Sequence, residues 1–195
     1  MEDEERAFMM YKKAAEFGHP DAMNNLADMY FNGEGIAQDD RLALHWFIKA
    51  AEYGVVEAMY TLGIMYEQGL GAEADGQKAL VFYEAAAQGG YVEGLYRLGM
   101  IYVEGELGQP QNRVQARSYF EQAAEQFHLD AFFNLGYLTE LEEGLTEQAV
   151  HYYKQASLLG DVASTKKLVH YYERTNEAQA RKWREKLTYL EQDGE

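Results

Sequence analysis

The sequence predicts an all-α protein, an α/α solenoid of antiparallel helix pairs, and three observations carry that expectation. Alanine and leucine fill 44 of its 195 positions, against 19 for valine, isoleucine and threonine together, with only two prolines. That balance favours helix, because alanine and leucine lose little side-chain freedom there and β-branched residues lose more. Secondly, an alanine pair recurs at Ala14-Ala15, Ala50-Ala51, Ala86-Ala87 and Ala123-Ala124, then weakens to Ala156-Ser157, in steps of 36, 36, 37 and 33 residues. Thirdly, Leu26, Leu62, Leu98, Leu135 and Leu168 mark the other half of each period. A period of that length is the mark of a helical repeat array.

Each element follows from its local pattern. Residues 3–17 align with a second helix, B, whose first helix, A, is absent; the face Ala7, Met10, Tyr11 and Ala14 is expected to pack on the first complete unit. Pro20 opens the first helix A, where its missing N–H costs nothing, and Gly33-x-Gly35 ends it. In helix B, Ala43, Trp46-Phe47 and Ala50 lie at 0, +3/+4 and +7, one face of an amphipathic helix, and Gly54 closes the unit. The second unit repeats this with Leu62-Gly63, Tyr66, Gly69-x-Gly71, then Ala79, Phe82-Tyr83 and Gly90. The third has Leu98-Gly99, Tyr102 and Gly105…Gly108, then Ala116 and Tyr119-Phe120, but puts Phe127 where the closing glycine belongs. The fourth has Leu135-Gly136, Thr139 in place of tyrosine, a shortened loop, Ala149, Tyr152-Tyr153 and Gly160. The last begins Asp161-Val162-Ala163-Ser164 and puts Ala180, Trp183 and Leu187 on its helix B.

The stretches from Asp21 to Gly35 and from Leu42 to Gly54 resemble the two halves of a Sel1-like repeat, a relative of the tetratricopeptide class. The resemblance covers nearly the whole chain. It divides the sequence into a half-repeat (1–18), four repeats (19–54, 55–90, 91–127, 128–160) and a degenerate carboxyl-terminal repeat or cap (161–195). The fourth and fifth units depart from the family by their short A–B loops and missing Gly-x-Gly. The stack is expected to wind as a right-handed superhelix in which each unit touches mainly its neighbours. Either the amino-terminal helix B belongs to a longer array or it is a natural cap made polar by its acids.

Composition removes several functions. With no cysteine there is no disulfide framework, thiol nucleophile or thiolate metal site. Thirty-three acids against 17 bases give a net charge of −16, which argues against nucleic acid and anionic lipid as partners. No apolar run approaches the roughly 18 residues of a membrane span. The start Met1-Glu2-Asp3-Glu4-Glu5 is the reverse of a secretory leader, so a cytoplasmic location is expected. The serines, Ser118, Ser157 and Ser164, lie in no nucleophile elbow, and no zinc, phosphate or calcium motif occurs. Glu16-x-x-His19 and Glu125-x-x-His128 match the pattern of di-iron bundles, but they stand three units apart at the ends of helices B, so no metal is expected. No enzyme activity and no cofactor are expected either.

The resemblance also indicates where a partner would bind. Helix-A positions such as Ala22, Met23, Leu26 and Tyr30 form the core side, and in tetratricopeptide relatives the opposite stripe lines a concave groove. On this sequence the second position of that stripe reads Asn24, Tyr60, Tyr96, Phe133, Lys166 down the array. The third reads Asp28, Ile64, Met100, Tyr137, His170, and the fourth Phe31, Glu67, Val103, Glu140, Glu173. The expected partner-binding residues are Tyr60, Ile64, Glu67, Tyr96, Met100, Phe133, Tyr137 and Glu140. Tyrosine is common in the family at the second position, so packing and binding both stay open for Tyr60 and Tyr96. Glu67 and Glu140, with Glu57 and Glu93, are expected as exposed rim charges that favour a basic partner. The function implied is a non-enzymatic scaffold for a basic or apolar protein segment. A glycan or cell-wall-fragment binding module is the alternative. A hydrolase is the remote one, since the cysteine-rich relatives credited with β-lactam activity carry disulfides that this chain lacks.

Overall fold

The computed structural model describes residues 2–193. Among them are eleven helices and no strand: α1 (Glu2–Glu16), α2 (Pro20–Asn32), α3 (Asp40–Glu52), α4 (Val56–Gln68), α5 (Gly76–Gln88), α6 (Val92–Glu104), α7 (Arg113–Glu125), α8 (Leu129–Glu143), α9 (Glu147–Leu158), α10 (Val162–Thr175) and α11 (Glu177–Asp193). The chain forms two compact units, one reaching to Gln111 and the other beginning at Asn112. Within each, helices pack on their neighbours in sequence, which is the all-α solenoid expected. None of the described helices is long and apolar enough to cross a membrane.

Caps and packing explain the boundaries. The Asp39 carboxylate accepts the N–H groups of Arg41 and Leu42 at 3.0 Å and so starts α3. Asp75 and Asn112 do the same for α5 and α7. Helices α2, α4 and α6 stop at Gly33, Gly69 and Gly105 in the left-handed region, with φ of 73°, 73° and 74°. Leu26, Leu62, Leu98, Leu135 and Leu168 have no exposed surface, and neither do Phe47, Phe120 and Tyr153. Each such side chain contributes about 1.5–3 kcal/mol by leaving water. The glycine after the leucine makes room for the helix-B ring: a Cβ at Gly63 would sit 2.5 Å from the Tyr83 ring, and one at Gly136 2.8 Å from that of Tyr153.

Two departures are informative. The α1 face expected to pack does so in part: Ala7 and Ala14 lie against the core, Met10 and Tyr11 do not. Phe8 and Ala15 are buried, with Phe8 edge-on to Tyr30 at 5.3 Å, whereas Met10 is 73% exposed and Tyr11 half-exposed. In complete units the Ala–aromatic–Ala face meets the helix A of the same unit. On α1 the contact with α2 is centred instead on Phe8 and Ala15, with Ala7 and Ala14 beside them. The second departure is Phe127. It keeps the turn that glycine makes elsewhere, with its neighbour's N–H (His128) donating to the Ala123 carbonyl as Val55 does to Ala50, but at φ 61°.

Candidate functional site

In the first unit the candidate residues lie on α4 and α6. Tyr60 is half-buried, its ring 5.6 Å from that of Tyr83 and 5.2 Å from that of Tyr91. Burial, then the Glu93 carboxylate, push its phenol above the ordinary range. Ile64, Tyr96 and Met100 are partly buried. Glu67 departs from the rim-charge expectation. The Tyr83 hydroxyl donates to its Oε2 at 2.6 Å and the Arg97 guanidinium to its Oε1, while Arg97 also meets Glu106 at 2.7 Å and lies over the Tyr83 ring. Glu67 thus holds α4, α5 and α6 together.

The second unit builds the same arrangement from other residues. The Tyr153 hydroxyl donates to Glu140 at 2.6 Å and Lys167 Nζ donates to both its oxygens at 2.9 and 3.0 Å. Burial works to raise the Glu140 pKa, but the hydrogen bonds from Tyr153 and Lys167 outweigh it and leave the carboxyl below its usual range. Glu140 is therefore also no exposed rim charge. Phe133 lies 6.0 Å from the Tyr153 ring and nearly parallel to Tyr137 at 6.5 Å. Tyr137 stands 43% exposed at the top of this stack.

The partners of the two glutamates were missed in the sequence, though a signal existed. Where the fourth stripe position is Glu67 or Glu140, the helix-B aromatic is Tyr83 or Tyr153, and the residue before the next leucine is Arg97 or Lys167. Where that position is Phe31 or Val103, the aromatic is Phe47 or Phe120 and the third residue is the uncharged Thr61 or Asn134. Three positions change together: a partly buried carboxylate needs donors, and without it a phenol and a cation would lose their acceptor.

Asp28 occupies the third stripe position of the first repeat. Asn24 donates to it at 3.0 Å, and burial, then Glu34, raise its pKa from 3.8 to about 6. No described group of three or more His, Asp or Glu is placed to hold a metal. His128 instead caps α8, its Nδ1 accepting the N–H of Ala131 at 3.3 Å.

The Sel1 repeat pattern matches residues 1–19, 20–54, 56–91, 92–126 and 130–161. Among solved structures, the chain resembles c5321, a protective antigen of uropathogenic Escherichia coli strains with an SLR fold. The identity is 31% and the TM-score 0.82, over 95% of this chain but only 42% of that protein. A Sel1 repeat protein from Oxalobacter formigenes is 29% identical with TM-score 0.81, covering 95% of this chain and 79% of the other. The immunity protein Pa5087 from Pseudomonas aeruginosa, at 23% identity and TM-score 0.56 over 94% and 73% of the two chains, shares the fold. No curated protein matches the sequence.

Proposed function

The chain belongs to the Sel1 repeat family, and we propose that it is a non-enzymatic scaffold holding a protein or peptide segment against its helix-A stripe. One observation carries this reading: Tyr137 is 43% exposed yet stacked on Phe133, which is itself fixed against Tyr153. The same repeat position is filled by Ile64 and Met100 elsewhere, so the repeat does not call for an aromatic side chain there, and Tyr153 is held by Glu140, which Lys167 holds in turn. An aromatic platform ordered before the partner arrives loses little freedom on binding, which is what an anchor residue requires. In the first unit the same repeat positions hold Tyr60, Ile64, Tyr96 and Met100.

The test compares prey retained by the immobilised wild-type chain with prey retained by the Met100→Ala/Tyr137→Ala variant. Protein prey lost from a variant with an unchanged melting curve supports the scaffold. Retention of glycan fragments alone would replace it with the carbohydrate-binding alternative.

A further inference from the structure

Three loops of the first unit do the same job. Each A–B loop folds back over the start of the preceding helix B. A Cβ at Gly35 would run into the backbone at Glu4 and Glu5, and one at Gly71 into that at Asp40. Gly108 lies against Gln77, whose Nε2 donates to the Leu107 carbonyl at 3.2 Å. Glu5, Arg41 and Gln77 occupy one repeat position, two residues before Ala7, Ala43 and Ala79. The loops share a chemistry as well: glycine at the close approach, an apolar residue (Ile36, Leu70, Leu107) and a carboxylate (Glu34, Glu73, Glu106).

In the second unit the equivalent residue on α9 is Glu147, two before Ala149, and no loop covers it. Helix α10 ends at Thr175 and α11 begins at Glu177, with Asn176 alone between them. What remains is a cleft of about 500 Å³ lined by Glu147, His151 and Lys154 from α9 and by Tyr171, Tyr172 and Thr175 from α10. At α7 the equivalent residue, Val114, is also left uncovered, at 81% exposure. There α8 has 15 residues rather than 13, and Arg117 reaches Thr139 at 3.1 Å and Glu142 at 2.8 Å.

We propose that the α9–α10 cleft receives in trans what the other seats receive in cis: an extended, glycine-containing segment of a partner protein bearing an apolar side chain and a carboxylate. The walls fit the apolar side chain and the carboxylate. Tyr171 and Tyr172 meet edge-on at 5.0 Å and offer an apolar flank. Lys154 lies 5.4 Å over the Tyr172 ring and makes no ion pair among the described residues, so it takes the carboxylate. Residues 161–195 carry seven acids and seven bases, so an acidic segment meets no net repulsion from them, although the chain as a whole carries −16. This surface is separate from the Tyr137 stripe, so each proposal stands or falls alone.

The probe is a synthetic peptide of residues 66–75, the loop that fills one of the seats, titrated into the full chain and followed by amide chemical shifts. Saturable shifts confined to the start of α9 and the end of α10 are expected. A peptide with valine at both glycines should not bind, and Lys154→Glu should weaken binding about fivefold at low salt. Grafting residues 69–74 between Thr175 and Asn176 should fill the cleft in cis and abolish binding, with an unchanged or raised melting temperature showing that the graft folds. Shifts scattered over the chain, no saturation at millimolar peptide, or full binding by a folded graft would overturn the proposal.

Discussion

At Phe127 the backbone adopts a conformation that costs an L-residue about 1–2 kcal/mol, while its side chain, 73% exposed, recovers little by burial. Phe127→Gly is therefore expected to stabilise the protein by about 1 kcal/mol, read as a higher melting temperature. A lower one would mean that the ring makes contacts worth more than the strain. Asp28 gives a second prediction at this scale. Its pKa of about 6 in the folded chain lies above the ordinary 3.8, so the native state holds this proton more tightly than the unfolded state does. Stability from this group is thus complete below about pH 4 and falls as pH rises through 6. Asp28→Asn should remove that fall, leaving the variant more stable relative to wild type at pH 8 than at pH 4. A constant difference between the two denaturation series would refute the assignment.

At the scale of elements, the Glu67–Tyr83–Arg97 cluster behaves as one object because each member satisfies the others. Glu67→Gln removes the charge that Arg97 faces in a partly buried site and should cost about 1–3 kcal/mol in denaturant unfolding. One period further on, the equivalent positions carry no charge, being Val103, Phe120 and Asn134 in the sequence. The triple change Glu67→Val, Tyr83→Phe, Arg97→Asn should therefore regain much of what the single change loses, a deviation from additivity characteristic of groups in contact. Simple addition of the three single losses would show the cluster to be three independent contacts. This cluster also marks the limit of what the sequence disclosed. Helix pairs were legible because alanine, aromatic and leucine positions recur at fixed offsets, and the glycine caps recur with them. The role of Glu67 was not, because its partners lie 16 and 30 residues away. A carboxylate read on its own helix face looks like a solvated charge. Reading three positions together down the repeats would have paired it. On α1 the exposure of Met10 and Tyr11 was not legible for a related reason: periodicity gives the face of a helix but not the contacts its neighbour makes along it.

For the whole molecule, the correction at Glu67 and Glu140 relocates the charge a partner would meet. Those two carboxylates are spent on Arg97 and Lys167, whereas Glu57 and Glu93 make no ion pair among the described residues and Glu57 is exposed. With a net charge of −16, the chain should attract a basic segment from a distance, and Glu57 and Glu93 should direct it toward Tyr60 and its neighbours. Such steering acts on the rate of encounter and is screened by salt, over about 10 Å at 0.1 M. Apolar anchoring acts on the lifetime of the complex and is far less sensitive to salt. With the protein prey from the wild-type chain in hand, Glu57→Gln/Glu93→Gln should slow association at low salt and approach wild-type behaviour at about 0.5 M, where the screening length is only a few ångströms. Met100→Ala/Tyr137→Ala should speed dissociation at every salt concentration. If the aromatic variant instead melts several degrees lower while its folded fraction binds normally, the stripe is packing and the scaffold reading fails. If the charge variant dissociates faster at high salt, the two glutamates are contact residues and the steering argument is wrong.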